Sequence, residues 1–186
     1  MKEDNYIFKS ERIGFRNWTN EDLDEFAILN SDEEVMEHFP KTLTSYEVRD
    51  LIIKLKKHFS ENGFTYYAVE VLDSREFIGM IGLAFQEYKT RFTPAIDIGW
   101  RLNRKAWGKG YATEGAKRCL EYGFNELDIK KIISVCTINN RKSENVMKKI
   151  GMTKIGEFNH PELVNCPNYE KHYCYEITKK EKRSLQ

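Results

Sequence analysis

No stretch of the 186 residues carries about 18 consecutive apolar side chains, the length that a membrane-spanning helix requires. The N-terminal segment MKEDNYIFKSER also lacks an apolar run of signal-peptide length, so a cytoplasmic protein without membrane contact is expected. Proline is scarce, at four residues, while aromatics are plentiful with 11 Phe, 10 Tyr and 3 Trp. That balance excludes an unfolded, low-complexity chain. Net charge is nearly absent: 30 basic against 29 acidic residues leave +1, and no nucleic-acid partner is expected. The four cysteines, Cys119, Cys136, Cys166 and Cys174, show neither CxxC nor metal-ligand spacing. They read as reduced thiols, and no metal is expected.

The near-zero total hides an uneven distribution. Asn17 to Pro40 holds eight acids and no Lys or Arg, whereas Arg101 to Ile150 holds twelve bases and five acids, a net of +7. Solvated helix faces account for such runs by default. The functional alternative is an anionic ligand on the second half and a cationic one approaching the first.

Hydrophobic periodicity divides the chain into one domain of mixed elements, with no repeat or linker. Arg12 to Asn17 alternates as a first strand, and Thr19 or Asn20 caps a helix reaching about Leu29. A short helix is expected over Asp32 to Glu37. A longer one opens at Thr44 or Ser45, carries Val48, Leu51, Ile52, Leu55 and Phe59, and stops near Asn62-Gly63. Phe64 to Leu72 and Phe77 to Phe85 form a hairpin, and Pro94 to Leu102 is a further strand. A helix over Trp107 to Glu126, a strand over Lys131 to Ile138 and a helix over Asn140 to Ile150 follow. Two strands close the chain, Met152 to Phe158 and His172 to Thr178. The order implies an α/β (α+β) mixed sheet with one parallel crossover.

The most informative stretch is Arg101 to Gly115, RLNRKAWGKGYATEG. A strand ends, bases follow, two glycines flank Lys109, and a helix rich in small residues begins. Glycine lets backbone approach a ligand without a Cβ in the way. The free N–H groups of a helix start then point at the loop. A diphosphate fits such a site, with Arg104, Lys105 and Lys109 adding charge. Other phosphate loops do not match: Gly110 follows Lys109 where GxxxxGK[ST] needs Ser or Thr, and Thr113 stands where GxGxxG needs its third glycine.

On these residues the chain resembles the GNAT acetyltransferase superfamily, which carries a [Q/R]xxGx[G/A] loop in this place; here the loop reads KAWGKG, Lys105 to Gly110. Lys105 departs from the pattern, while both glycine positions are kept. IGWRLNRKAWGKGYATEGAK, together with VMEHFP, IGMIGL, NNRKSENVMKKIGM and FNHPEL in that register, is similar to the RimJ/RimL-like branch. The resemblance implies a GNAT acyl-CoA N-acyltransferase fold and acetyl-CoA as co-substrate. It implies that the backbone of Ile98, Gly99, Trp100, Arg101 and Leu102 pairs with the pantetheine arm like an added strand. The loop of Arg104, Lys105, Ala106, Trp107, Gly108, Lys109, Gly110, Tyr111, Ala112 and Thr113 would hold the diphosphate, with Asn140 touching the cofactor as well as capping its helix.

The chemistry implied is attack of a primary amine on a thioester. An alkylammonium has a pKa near ~10, so a base must take its proton and an acid must meet the departing thiolate. Many GNAT enzymes use a Tyr as that acid, four residues before the glycine that ends the helix. That position is Met147 here, which cannot donate a proton. Ser143 is then the candidate beside the coenzyme sulfur, as the RimJ/RimL-like branch implies; its alternative is a plain helix-surface serine. The base candidates are Glu162, nineteen residues after Ser143 as in that branch, then His160 and Asp97. Their alternatives are an exposed loop acid, a histidine packed beside Pro161 and a carboxylate bonded at a strand bulge.

The resemblance also turns the acidic tract, Glu33 and Glu34 included, toward the acceptor. That implies a cationic amine, either a small molecule or a protein N-terminus, on a monomer or homodimer. A module that binds acetyl-CoA without turnover is the remaining alternative.

Overall fold

The computed structural model of the protein describes residues 5–184. Among them eight strands form one sheet: β1 (Tyr6–Lys9), β2 (Ile13–Arg16), β3 (Tyr66–Val71), β4 (Phe77–Gln86), β5 (Ala95–Leu102), β6 (Lys131–Thr137), β7 (Thr153–Asn159) and β8 (Lys171–Thr178). Their spatial order is β1-β2-β3-β4-β5-β6-β8-β7. β5 and β6 are the parallel neighbours, and the other pairs are antiparallel. The helices are α1 (Leu23–Ser31), α2 (Ser45–Asn62), α3 (Tyr111–Asn125), α4 (Arg141–Lys149) and α5 (Lys179–Ser184). α3 supplies the long crossover that a parallel pair needs.

Two apolar layers sandwich the sheet. On one face α1 and α2 bring Phe26, Leu29, Val48, Ile52 and Leu55 against Trp18, Ala68, Phe77 and Met80. On the other, α3 and α4 bring Ala116, Cys119, Leu120 and Met147 against Ile13, Phe15, Ile81 and Leu83. β4 is covered on both faces, which is why FIGMIGLA reads as a continuous apolar run rather than an alternating one. α3 lies close on the sheet because Gly115 has no side chain: a Cβ there would stand 2.5 Å from Ile81 Cδ1 and 3.0 Å from Ile13 Cδ1. Gly115→Leu is therefore expected to cost about 1–3 kcal/mol through overpacking, read as a lower denaturant midpoint at unchanged slope.

The α2 boundaries match the sequence signals in detail. Glu47 N–H donates to Thr44 Oγ1 at 3.3 Å and Thr44 N–H to Glu47 Oε2 at 2.8 Å, a reciprocal cap. Gly63 ends the helix at φ +78°, its N–H bonded to Phe59 O at 2.8 Å.

Three expectations are corrected. Asp32 to Glu37 is not helical: Asp32 leaves α1 in extended conformation, and its Oδ1 accepts from Glu34 N–H at 3.0 Å. That side-chain turn competes with a helical start. β1 precedes the expected first strand; with only Phe8 buried among four residues, its alternation is too short to register. α3 begins at Tyr111 rather than Trp107, because Gly108 and Gly110 adopt φ of +73° and +85°, outside the helical region.

Candidate active site

β4 and β5 pair along their length, from Gly79↔Leu102 to Gln86↔Ala95. β5 and β6 share a single bridge, Asp97↔Ile133. β6 gives its other edge to β8 from Lys131 to Thr137. Ser134 Oγ donates to Ile98 O at 2.8 Å and closes the apex of the split. Beyond it the strands diverge, leaving residues 99–102 without a strand partner on that edge. The gap opens into a cleft of about 690 Å³, bordered by residues 97–102 of β5, the start of α3, the first turns of α4 and the stretch Glu34 to Pro40.

The loop at the wide end follows from its residues. Asn103 caps a single 3-10 turn over Arg104–Ala106, its Oδ1 accepting from Ala106 N–H at 3.0 Å. Trp107 donates its indole N–H to Leu102 O at 2.9 Å, which folds the loop back on β5. Gly108 and Gly110 then take left-handed backbone, a region where a Cβ is costly. The first bond of α3 runs from Glu114 N–H to Gly110 O at 3.0 Å. The N–H groups of Tyr111, Ala112 and Thr113 consequently have no helical acceptor. All three residues border the cleft, a geometry suited to an anionic group.

The expected sources of side-chain charge are placed differently. Arg104 is held by Asp32 at 2.7 Å and by Glu34. Lys105 and Lys109 face a separate recess of about 190 Å³ beside Val71, Ser74 and Glu76. Cations that border the cleft come from α4 and β5 instead, Lys142, Lys149 and Arg101, and Lys142 Nζ sits 4.2 Å from the Trp107 ring centre. Of the acidic tract, Glu34 and Glu37 reach the cleft and Glu33 does not.

A model of the acetyltransferase (GNAT) domain family matches residues 12–153. The chain belongs to the GNAT acetyltransferase family. It is an N-acetyltransferase, and acetyl-CoA is its co-substrate. The uncharacterized N-acetyltransferase YnaD of Bacillus subtilis (strain 168) is 33% identical over 150 residues, 80% of this chain and 84% of that protein. A GNAT-family acetyltransferase from Bacillus anthracis is 30% identical, with a TM-score of 0.76 over 92% of this chain and 98% of that one. The spermidine N-acetyltransferase of Vibrio cholerae, solved with CoA and spermine, shares the fold at 19% identity and a TM-score of 0.70, over 92% and 98% of the two chains.

Within this GNAT cleft the named candidates occupy different depths. Asp97 is deepest, buried beside the bridge to β6. Tyr66 donates its hydroxyl to Asp97 Oδ1 at 2.5 Å and Gln86 Nε2 donates to the same oxygen at 3.1 Å. Oδ2 has no hydrogen-bond donor among the described residues. Burial pushes the Asp97 carboxyl up to about 6, against the opposing pull of the Tyr66 and Gln86 bonds. Ser143 lies in the first turn of α4 and borders the cleft, its N–H donating to Asn140 Oδ1 at 3.0 Å. Asn140 is thus the cap of α4. Met147 is buried in the core.

His160 and Glu162 stand together at the mouth. Glu162 is exposed, and its N–H donates to His160 Nδ1 at 3.3 Å. The His160 ring lies tilted against Tyr88 with centres 4.3 Å apart, and burial lowers its pKa. Cys136 borders the cleft, but burial holds its thiol up at about 12, so it stays protonated.

Several cleft residues carry no signal in the sequence. Tyr66 and Gln86 approach Asp97 from β3 and β4, across 31 and 11 residues of chain. His172 borders the cleft from β8, its ring 5.2 Å from His160. Its Nδ1 is 3.0 Å from Glu170 O; a carbonyl partner fixes that nitrogen as the protonated one and leaves Nε2 as an acceptor. Only sheet register brings these groups together.

Proposed function

We propose that the protein transfers an acetyl group from acetyl-CoA to a primary amine by direct attack while both substrates share the cleft. The observation that carries this is the split after Asp97↔Ile133, with the start of α3 at its wide end. The edge of residues 99–102, without a strand partner, would receive the pantetheine arm, and the N–H groups at Tyr111 to Thr113 the diphosphate. A volume of about 690 Å³ suits a ligand of that size.

Acetyl-CoA supplies the thioester; the chain's residues manage the protons. The amine arrives as an ammonium, and Asp97, the buried carboxylate with one oxygen free, takes its proton directly or through one water. The C–N bond forms as the C–S bond breaks and CoA leaves as its thiolate; the nitrogen sheds a second proton to solvent and keeps one N–H in the amide product. The Ser143 hydroxyl donates a hydrogen bond to the departing sulfur. His160 and Glu162 border the acceptor entrance. The RimJ/RimL-like reading, with a protein N-terminus as one acceptor class, is supported by 27% identity over 103 residues to the putative ribosomal N-acetyltransferase YdaF of Bacillus subtilis.

The test is thiol release from acetyl-CoA across a panel of small amines and peptides. Acetyl-CoA binding without turnover on any acceptor would overturn the proposal in favour of a non-transferring module. Ser143→Ala is expected to lower kcat about 10- to 100-fold, modest for acid catalysis because a thiolate is a weak base. The Kd for acetyl-CoA should stay unchanged in the same variant; an undiminished kcat removes Ser143 from the mechanism.

A further inference from the structure

Two arginines are withdrawn from solvent near the sheet, and the protein treats them differently. Arg16 Nη2 and Nη1 meet Asp22 at 2.6 and 2.8 Å, and its Nε meets Glu70 at 2.6 Å. These two carboxylates hold its proton affinity up. Arg101 has no such compensation. Nη1 donates to the neutral amide of Asn30, the guanidinium stacks 4.2 Å from the Phe39 ring centre, and the buried Nε has no hydrogen-bond partner. No carboxylate pairs with it among the described residues. Burial lowers its pKa to about 10, so it remains charged at neutral pH. An uncompensated guanidinium in a low-dielectric cleft is costly unless something else meets it.

Its position says what that partner faces. Asp97, Gly99 and Arg101 alternate along β5 onto the face covered by α1 and α2, opposite Ala84, Gly82 and Met80 of β4. Ile98 and Leu102 point the other way, into the α3 core. The backbone positions of Asp97 and Arg101 are about 13 Å apart along the strand, and the Tyr66 ring packs over Gly99 between them. A proton acceptor and a fixed cation therefore border one cleft on either side of the Tyr66 ring.

We propose that Arg101 anchors a carboxylate of the acceptor, so that the substrate class is an amine that also carries a carboxylate. The planar fork of a guanidinium matches a carboxylate through two parallel bonds. A polyamine would instead bring a second ammonium toward a positive charge. This inference rests on the transferase reading, and the measurement keeps the two apart.

Matched acceptor pairs that differ only by a carboxylate held several bonds from the amine, such as lysine with cadaverine and 6-aminohexanoate with pentylamine, are titrated calorimetrically into the CoA-loaded protein. Thiol release with acetyl-CoA is measured in parallel. The carboxylate member is expected to bind about 10- to 100-fold more tightly in at least one pair. Arg101→Gln, which retains a donor for Asn30, should reduce that ratio to near one by weakening the carboxylate member, while the affinity for the amine member holds. Equal binding within every pair, or an undiminished ratio in R101Q, overturns the proposal. So does a loss of acetyl-CoA affinity with acceptor preference intact, which would give the guanidinium to the coenzyme. Turnover without carboxylate preference defeats the role of Arg101 alone; carboxylate preference without turnover defeats the transferase reading alone.

Discussion

Asp97→Asn is expected to lower kcat by about 10²–10⁴, the range over which a positioned base contributes. The substitution is nearly isosteric, and an amide oxygen still accepts from the Tyr66 hydroxyl and Gln86 Nε2, as Oδ1 does now. The fold and the affinity for acetyl-CoA should therefore survive. In the parent protein kcat/KM should climb as pH rises through about 6, where Asp97 loses its proton; in the variant that inflection should vanish. Stability should move the opposite way. The folded carboxyl titrates at about 6 rather than at the ordinary 3.8, so between those values the native state binds more protons than the unfolded chain. Its contribution to stability is thus lost as pH rises through that window. Asp97→Asn should melt higher than the parent at pH 8, and lower activity with greater stability is a pairing that general misfolding cannot produce. An unchanged pH profile would return the base to His160, His172 or Glu162.

Gly110→Val is expected to weaken acetyl-CoA binding about 100-fold or more. At φ +85° a β-branched residue is an outlier, and relieving that strain turns the N–H groups at the start of α3 away from the cleft. Losing two hydrogen bonds to a charged group accounts for an effect of this size. Gly63 provides the control: it sits at φ +78° after α2 with nothing within 4 Å of a built Cβ, outside the cleft. Gly63→Val should cost comparable backbone strain and leave the Kd alone. If both variants bind acetyl-CoA equally well, the loop is not where the diphosphate rests.

Local signals explain which parts of this architecture could be read from the sequence. The cap at Thr44, the stop at Gly63 and the apolar run of β4 each depend on residues within one element, and each has the expected place. So does the glycine loop between β5 and α3. Illegible features depend on register. Lys105 and Lys109 share a loop with residues that border the cleft, yet the turn over Arg104–Ala106 and the left-handed glycines that flank Lys109 leave both beside another recess. Tyr66, Gln86 and His172 acquire their relevance from strands that only the sheet order makes neighbours. The isolation of Arg101 is a statement about what does not surround it, and sequence patterns hold no record of that.

The single bridge between β5 and β6 makes the sheet two plates, β1 to β5 and β6 to β8, joined by a narrow seam at Asp97 and Ser134 and by the helix that straddles them. A ligand lying in the gap would serve as the absent strand between the plates and supply amide partners to both. Coenzyme occupancy should therefore stiffen the whole molecule rather than only its contact residues, slowing amide exchange across residues 99–102 and raising the melting temperature with coenzyme concentration.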